Sequence, residues 1–161
     1  MALSNPFVVL SYVGGPALLT NATGLFILST SNRFARAVDR ARYLAERLSG
    51  EGGPLRSHFR LEMPEVQRRV LLMGRALACF YIAASAFAIA TLASIGAAVL
   101  TQEVQGGMIR AVYGLSLTCG GIGFCVFIAG AALLSIESRT AVRSLAREYS
   151  EAISHAARKD V

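Results

Sequence analysis

A chain of 161 residues that is 54% hydrophobic and 16% charged falls short of the roughly 25% charge of ordinary soluble domains. Its length suits one domain, and its apolar residues gather in three blocks without the polar faces of a soluble helical bundle. The formal charge of +6 lies between and after those blocks, which fits lipid head groups and membrane orientation rather than nucleic acid.

Met1–Asn32 carries no charged side chain. It lacks the positive start of a signal peptide, so it is expected to remain in the mature protein. Phe7–Leu10 is apolar, and Gly14, Gly15 and Pro16 follow. The expected start of the first long helix is Pro16, because proline suits the first helical turn. The alternative is a start near Phe7 with a kink at Pro16. Residues 7–15 are left to span, re-enter or lie at the interface. The first expected span covers 16–32 and is the most polar, with Thr20, Asn21, Thr23 and Ser29–Ser31. A carboxamide in hydrocarbon needs a partner. Asn21, Gly24, Leu28 and Ser31 share one face at three- and four-residue steps. That face, with Gly24 allowing close approach, is expected to join another helix; the alternative is a polar path lined by Asn21 with Thr20, Thr23 and Thr30.

Asn32–Leu48 continues as an expected amphipathic helix. Phe34, Ala37, Val38, Ala41, Leu44, Ala45 and Leu48 form its apolar side, and Arg33, Arg36, Arg40 and Arg47 line much of the other. Asp39 is spaced to meet Arg36 and Arg42, and Arg42 to meet Glu46. Asn32, Arg33, Arg36, Asp39, Arg40 and Arg42 are candidates for ion pairs or lipid head groups at the boundary, Arg33 and Arg36 above all. Ser49–Pro54 reads as a loop. Leu55–Leu61 is ambiguous, with His58 an exposed loop residue. Pro64 is the expected first residue of the second long helix, with Glu65 supporting its positive end.

Ala76–Leu100 holds 25 residues without a charge, about 37 Å of helix against a hydrocarbon core of about 30 Å. Arg75 stands at its threshold and can snorkel. Thr101–Gly107 is a short loop. The third expected span covers 111–136, where Gly120 and Gly121 suggest a close helix crossing or a bend. Glu137 ends it. Arg139, Arg143 and Arg147 form a stripe on the following helix, and Ser154–Val161 reads as a frayed tail. Cys79, Cys119 and Cys125 fall in apolar stretches without ligand-like spacing, so no metal or cofactor is expected.

These blocks predict an all-α membrane protein of three transmembrane helices, the first and third extended as amphipathic helices on the cytoplasmic side. Of 16 basic residues, ten lie in Arg33–Arg75 and five in Arg139–Lys159. One orientation puts both groups inside: N-terminus out, segment 33–75 in, and the tail 137–161 in. It gathers Arg33, Arg36, Asp39, Arg75 and Glu137 at one membrane face. Glu137 is the carboxylate expected to pair with an arginine from another helix, fixing register.

The segment Pro16–Tyr43, PALLTNATGLFILSTSNRFARAVDRARY, resembles the opening of a family of small bacterial membrane proteins called domain of unknown function 2721. Pro16, Asn32, Arg33, Asp39, Arg40, Arg42 and Glu137 carry the likeness, which extends over roughly Pro16 to Arg147. The arginine-rich segment is its most specific part. The resemblance implies the same three-span fold and brings no established activity. It places the chain in a bacterial cytoplasmic membrane.

Three functions compete. The leading one is a non-enzymatic structural or regulatory membrane component that self-associates or binds a membrane partner, since amphipathic extensions need cover. The alternative is a homo-oligomeric channel or small transporter with a polar path along the first helix. An enzyme is not expected: Asp39, Glu137 and His58 are the main polar side chains near the inner face, and they bring no activated nucleophile, base pair or metal set.

Overall fold

The computed structural model describes residues 6–50, 54–100 and 106–159. Of the expected loops Ser49–Pro54 and Thr101–Gly107, residues 51–53 and 101–105 lie outside the described residues, while Ser49, Gly50, Pro54, Gly106 and Gly107 belong to the helices. The side chains of His58 and His155 and those of Arg143 and Arg147 also lie outside the description. The fold is all-helical: α1 runs Pro6–Gly50, α2 Pro54–Leu100 and α3 Gly106–Lys159. At 45, 47 and 54 residues, they measure about 68, 70 and 81 Å.

Both expected helix starts are corrected. Pro16 lies inside α1 and Pro64 inside α2. At Pro16 the proline removes one backbone bond, whereas ending the helix in apolar surroundings would expose many unpaired groups. Local side-chain bonding accompanies the continuation, with the Thr20 hydroxyl donating to the Pro16 carbonyl at 2.9 Å. Residues 7–13 are helical, and the tail is corrected too, since α3 continues to Lys159.

Two helices carry stretches long and apolar enough to cross a membrane. They are Glu62–Ala97 and Arg110–Val142, each holding an 18-residue window, of mean hydropathy 2.0 and 2.2 respectively. Only 28% and 11% of those windows are buried inside the chain, unlike the core helix of a soluble protein. The described part of α1 is less apolar because Asn21 and its neighbouring threonines and serines interrupt it.

α2 packs against both other helices. Its buried side chains recur every seven residues: Val66, Met73, Phe80, Phe87 and Ser94 on one row, Ala76, Ala83, Ala90 and Ala97 three positions on. α3 answers with Ser116, Gly123, Gly130 and Glu137, also at seven-residue steps and all buried. α1 buries Thr23, Thr30 and Leu44, with half-buried Ala37 completing its row. A strict seven-residue repeat keeps one seam facing its neighbour along long helices, as in left-handed coiled coils.

Because α2 and α3 run in opposite directions, their rows match layer by layer. A Cβ on Gly123 would lie 2.9 Å from Phe87 Cε1, and one on Gly130 would lie 3.0 Å from Phe80 Cε1. The two rings thus fill holes that only glycine leaves open. One layer further, Ser94 and Ser116 share a hydrogen bond at 2.7 Å, and Ser116 also reaches the Ala90 carbonyl at 3.0 Å. One layer the other way come Met73 and Glu137, both buried.

Phe26 of α1 closes the middle. Its ring centroid lies 5.4 Å from that of Phe80 and 5.2 Å from that of Phe127. The buried Thr23 hydroxyl donates to the Leu19 carbonyl of its own helix at 2.6 Å, so its polarity is satisfied without a neighbour.

Candidate functional site

The seam between α2 and α3 ends in charge. Glu137 is fully buried, and its two carboxylate oxygens serve different helices. Oε2 accepts a short bond from Arg33 Nη2 of α1. Oε1 accepts from Arg69 Nε of α2 at 3.0 Å. Ser138 Oγ adds a second acceptor for Arg33 Nη2 at 3.2 Å. One carboxylate therefore ties all three helices together. A buried carboxylate is tolerable only when paired and hydrogen-bonded, and two guanidiniums meet that need.

About two turns further along α1, Arg40 donates to Glu62 Oε1 of α2 through Nη2 at 2.7 Å and Nε at 3.3 Å. The guanidiniums of Arg40 and Arg47 lie 5.8 and 5.4 Å from the Tyr43 ring centroid, within cation–π range. Between the Glu137 cluster and the Arg40–Glu62 pair, α1 and α2 border a cleft of about 310 Å³. Arg33, Arg36, Arg40 and Arg69 line it, and Ala37, Val66 and Met73 supply its apolar wall.

Of the boundary residues expected from the sequence, Arg33, Arg36, Arg40 and Glu137 come together here. Asn32, Asp39, Arg42 and Arg75 are exposed and stand outside the cluster. The Asp39 pairs with Arg36 and Arg42, and the Arg42–Glu46 pair, do not form among the described residues. Arg36 lines the cleft instead, and exposed helical ion pairs bring too little energy to hold it elsewhere.

The helix–helix or polar-path candidates Thr20, Asn21, Gly24, Gly120 and Gly121 divide within the single chain. Asn21 and Gly24 are exposed, and nothing lies within 4 Å of a Cβ built on Gly24. Thr20 is half-buried and bonded to its own helix. A Cβ on Gly120 would make ordinary contact with Ala90 at 3.9 Å, and one on Gly121 would meet nothing. The buried row passes through Gly123 and Gly130, which leaves Gly120 and Gly121 to either side of it or facing outward. The site residues the sequence reading did not single out are Gly123, Gly130, Arg69 and Glu62. The signal for the two glycines was the seven-residue spacing of Ser116, Gly123, Gly130 and Glu137.

Among the described residues, no group of three or more histidines, cysteines or acids is placed to hold a metal ion. A family model described as protein of unknown function (DUF2721) matches residues 14–147. The chain belongs to that family. The DUF2721 match takes in Arg33, Arg69 and Glu137, the whole cleft and both packed glycines. No curated protein and no solved structure gives a match. DUF2721 has no established function.

Proposed function

We propose that the chain is a three-span protein of the bacterial cytoplasmic membrane, with its N-terminus outside and C-terminus inside, acting as a non-enzymatic structural or regulatory component by self-association. Exposed apolar side chains on every helix support the membrane setting: Leu18, Leu25 and Leu28 on α1, Ile82, Ile89 and Leu92 on α2, and Leu117, Ile122 and Ile128 on α3. Together they exceed the scattered apolar exposure of a soluble monomer. In this reading α1 is the third crossing, and α1 and α3 continue into the cytoplasm as amphipathic helices. The basic boundary segment orients the chain against anionic head groups.

The observation that carries self-association is the outward carboxamide of Asn21. It stands exposed among Leu18, Leu25 and Leu28, beside the open Gly24. In hydrocarbon such a group seeks a hydrogen-bonding partner on another helix, and Gly24 lets that helix come close. A second copy of α1 offers both features at once. The channel alternative draws less support, because Thr23 and Thr30 turn inward and Asn21 turns outward. They share no water-lined face.

The test is the mass of the complex in lipid nanodiscs, combined with oxidative cross-linking of Asn21→Cys in a background without native cysteines. Self-association gives a multiple of the chain mass and disulfide-linked dimers through position 21. A monomer that does not cross-link removes this reading.

A further inference from the structure

We infer that the cleft between α1 and α2 is a binding site for one phosphate group, borne by an anionic lipid or free in solution. The case rests on charge, shape and position. Four arginines line the cleft, and among the described residues the carboxylates bonded to them are Glu137 and Glu62. Positive charge is left in surplus in a space walled by buried Val66 and Met73. Like charges repel more strongly beside such a low-dielectric wall than in water, and an anion relieves that repulsion.

Three of these arginines are also held in place. Glu137 fixes Arg33 and Arg69, and Glu62 fixes Arg40. Glu137 engages one nitrogen of Arg33 and Nε of Arg69, out of the five N–H donors each guanidinium carries. Arg36 makes no ion pair among the described residues. Planar guanidinium forks match phosphate oxygens in pairs, so a prearranged set of them favours phosphate over a simple halide. The volume, about 310 Å³, falls at the small end of ligand sites, which suits a phosphate with its glycerol.

Position admits the lipid source. Arg69 precedes the uncharged run beginning at Ala76 by seven residues, about 10 Å of helix. In the membrane reading above, that depth is the head-group layer. The inference does not depend on self-association.

The full chain is tested in two arms. In the first, nanodiscs of phosphatidylcholine doped with phosphatidic acid or phosphatidylglycerol are followed by native mass spectrometry of the retained lipid. In the second, inorganic phosphate is titrated at constant ionic strength in neutral detergent, with the ³¹P linewidth as readout. Arg36→Ala is compared with Arg42→Ala, which removes the same charge outside the cleft. The expected result is binding in at least one arm, weakened roughly tenfold by Arg36→Ala and unchanged by Arg42→Ala. Retention in the lipid arm alone assigns a head group, and broadening in the phosphate arm alone assigns a free anion. No binding in either arm overturns the site, as does equal weakening by the two variants or none by Arg36→Ala. The oligomer mass appears in the same spectra, so a monomer with bound phosphate removes self-association and leaves this site standing.

Discussion

The two faces of α2 join their partners by opposite means. Toward α3, glycines receive phenylalanine rings, and each layer closes on a side chain that fits it. Toward α1, threonines and Leu44 pack the row, and the interface then opens into an arginine-lined cleft. Volume at the seam decides the difference. Toward α3, Gly123 and Gly130 leave room for phenylalanine rings, whereas toward α1 Gly74 meets Phe34 and the long side chains of Arg33, Arg36 and Arg40 border the cleft. The closed face is suited to hold shape, and the open face to admit a ligand.

The sharpest way to break this comparison is Glu137→Leu, because Glu137 belongs to both faces. The substitution leaves Arg33 and Arg69 without their shared carboxylate, and removing one partner of a buried pair costs about 3–5 kcal/mol. A large drop in thermal stability in detergent is expected, and an unchanged midpoint would remove Glu137 as the joint. Next comes Gly130→Val, which drives its side chain into Phe80 and Cys79. Overpacking of this kind costs about 1–3 kcal/mol. Gly121→Val, with open space at that position, is expected to change stability by less than about 0.5 kcal/mol. Equal midpoints for the two variants would dissolve the claim that α3 is seated by particular glycines.

Smaller effects sharpen the contrast. A double-mutant cycle on Ser94→Ala and Ser116→Ala is expected to give a coupling of about 0.6 kcal/mol, the average for polar pairs between membrane helices. Zero coupling would mean that the two hydroxyls are served by their backbones alone. On the open face, Glu62→Gln loosens an exposed pair and is expected to cost at most about 1 kcal/mol, less at high salt. A loss as large as that of Glu137→Leu would make the open face as structural as the closed one.

Much of the fold was legible in hydropathy and charge. The uncharged runs marked the apolar parts of α2 and α3, and the confinement of arginines between the runs marked the boundary. Glu137 stood out as the carboxylate closing a long apolar run, and the structure pairs it with Arg33 of α1. Helix ends were less legible. Pro16 and Pro64 are strong local stop signals, overridden here because the flanking chain gains more by remaining helical. The site was half legible. Arg69 looked like one member of a basic run because its role depends on which helix face meets α3. The adjacent Gly120 and Gly121 drew notice by density, while the working glycines were spaced seven apart. Reading α3 by period rather than by composition would have found them, since Ser116, Gly123, Gly130 and Glu137 are small or polar and recur at seven-residue steps.

The unbroken length of α1 has a mechanical side. From Arg33 to Gly50 the helix continues for 17 residues beyond the three-helix joint, about 25 Å. A rod pivoting at that joint by about 10° would sweep its far end through roughly 4 Å. Whatever settles between Arg36 and Arg69 sits beside the fulcrum, where a small displacement is magnified into a larger shift at the far end of α1.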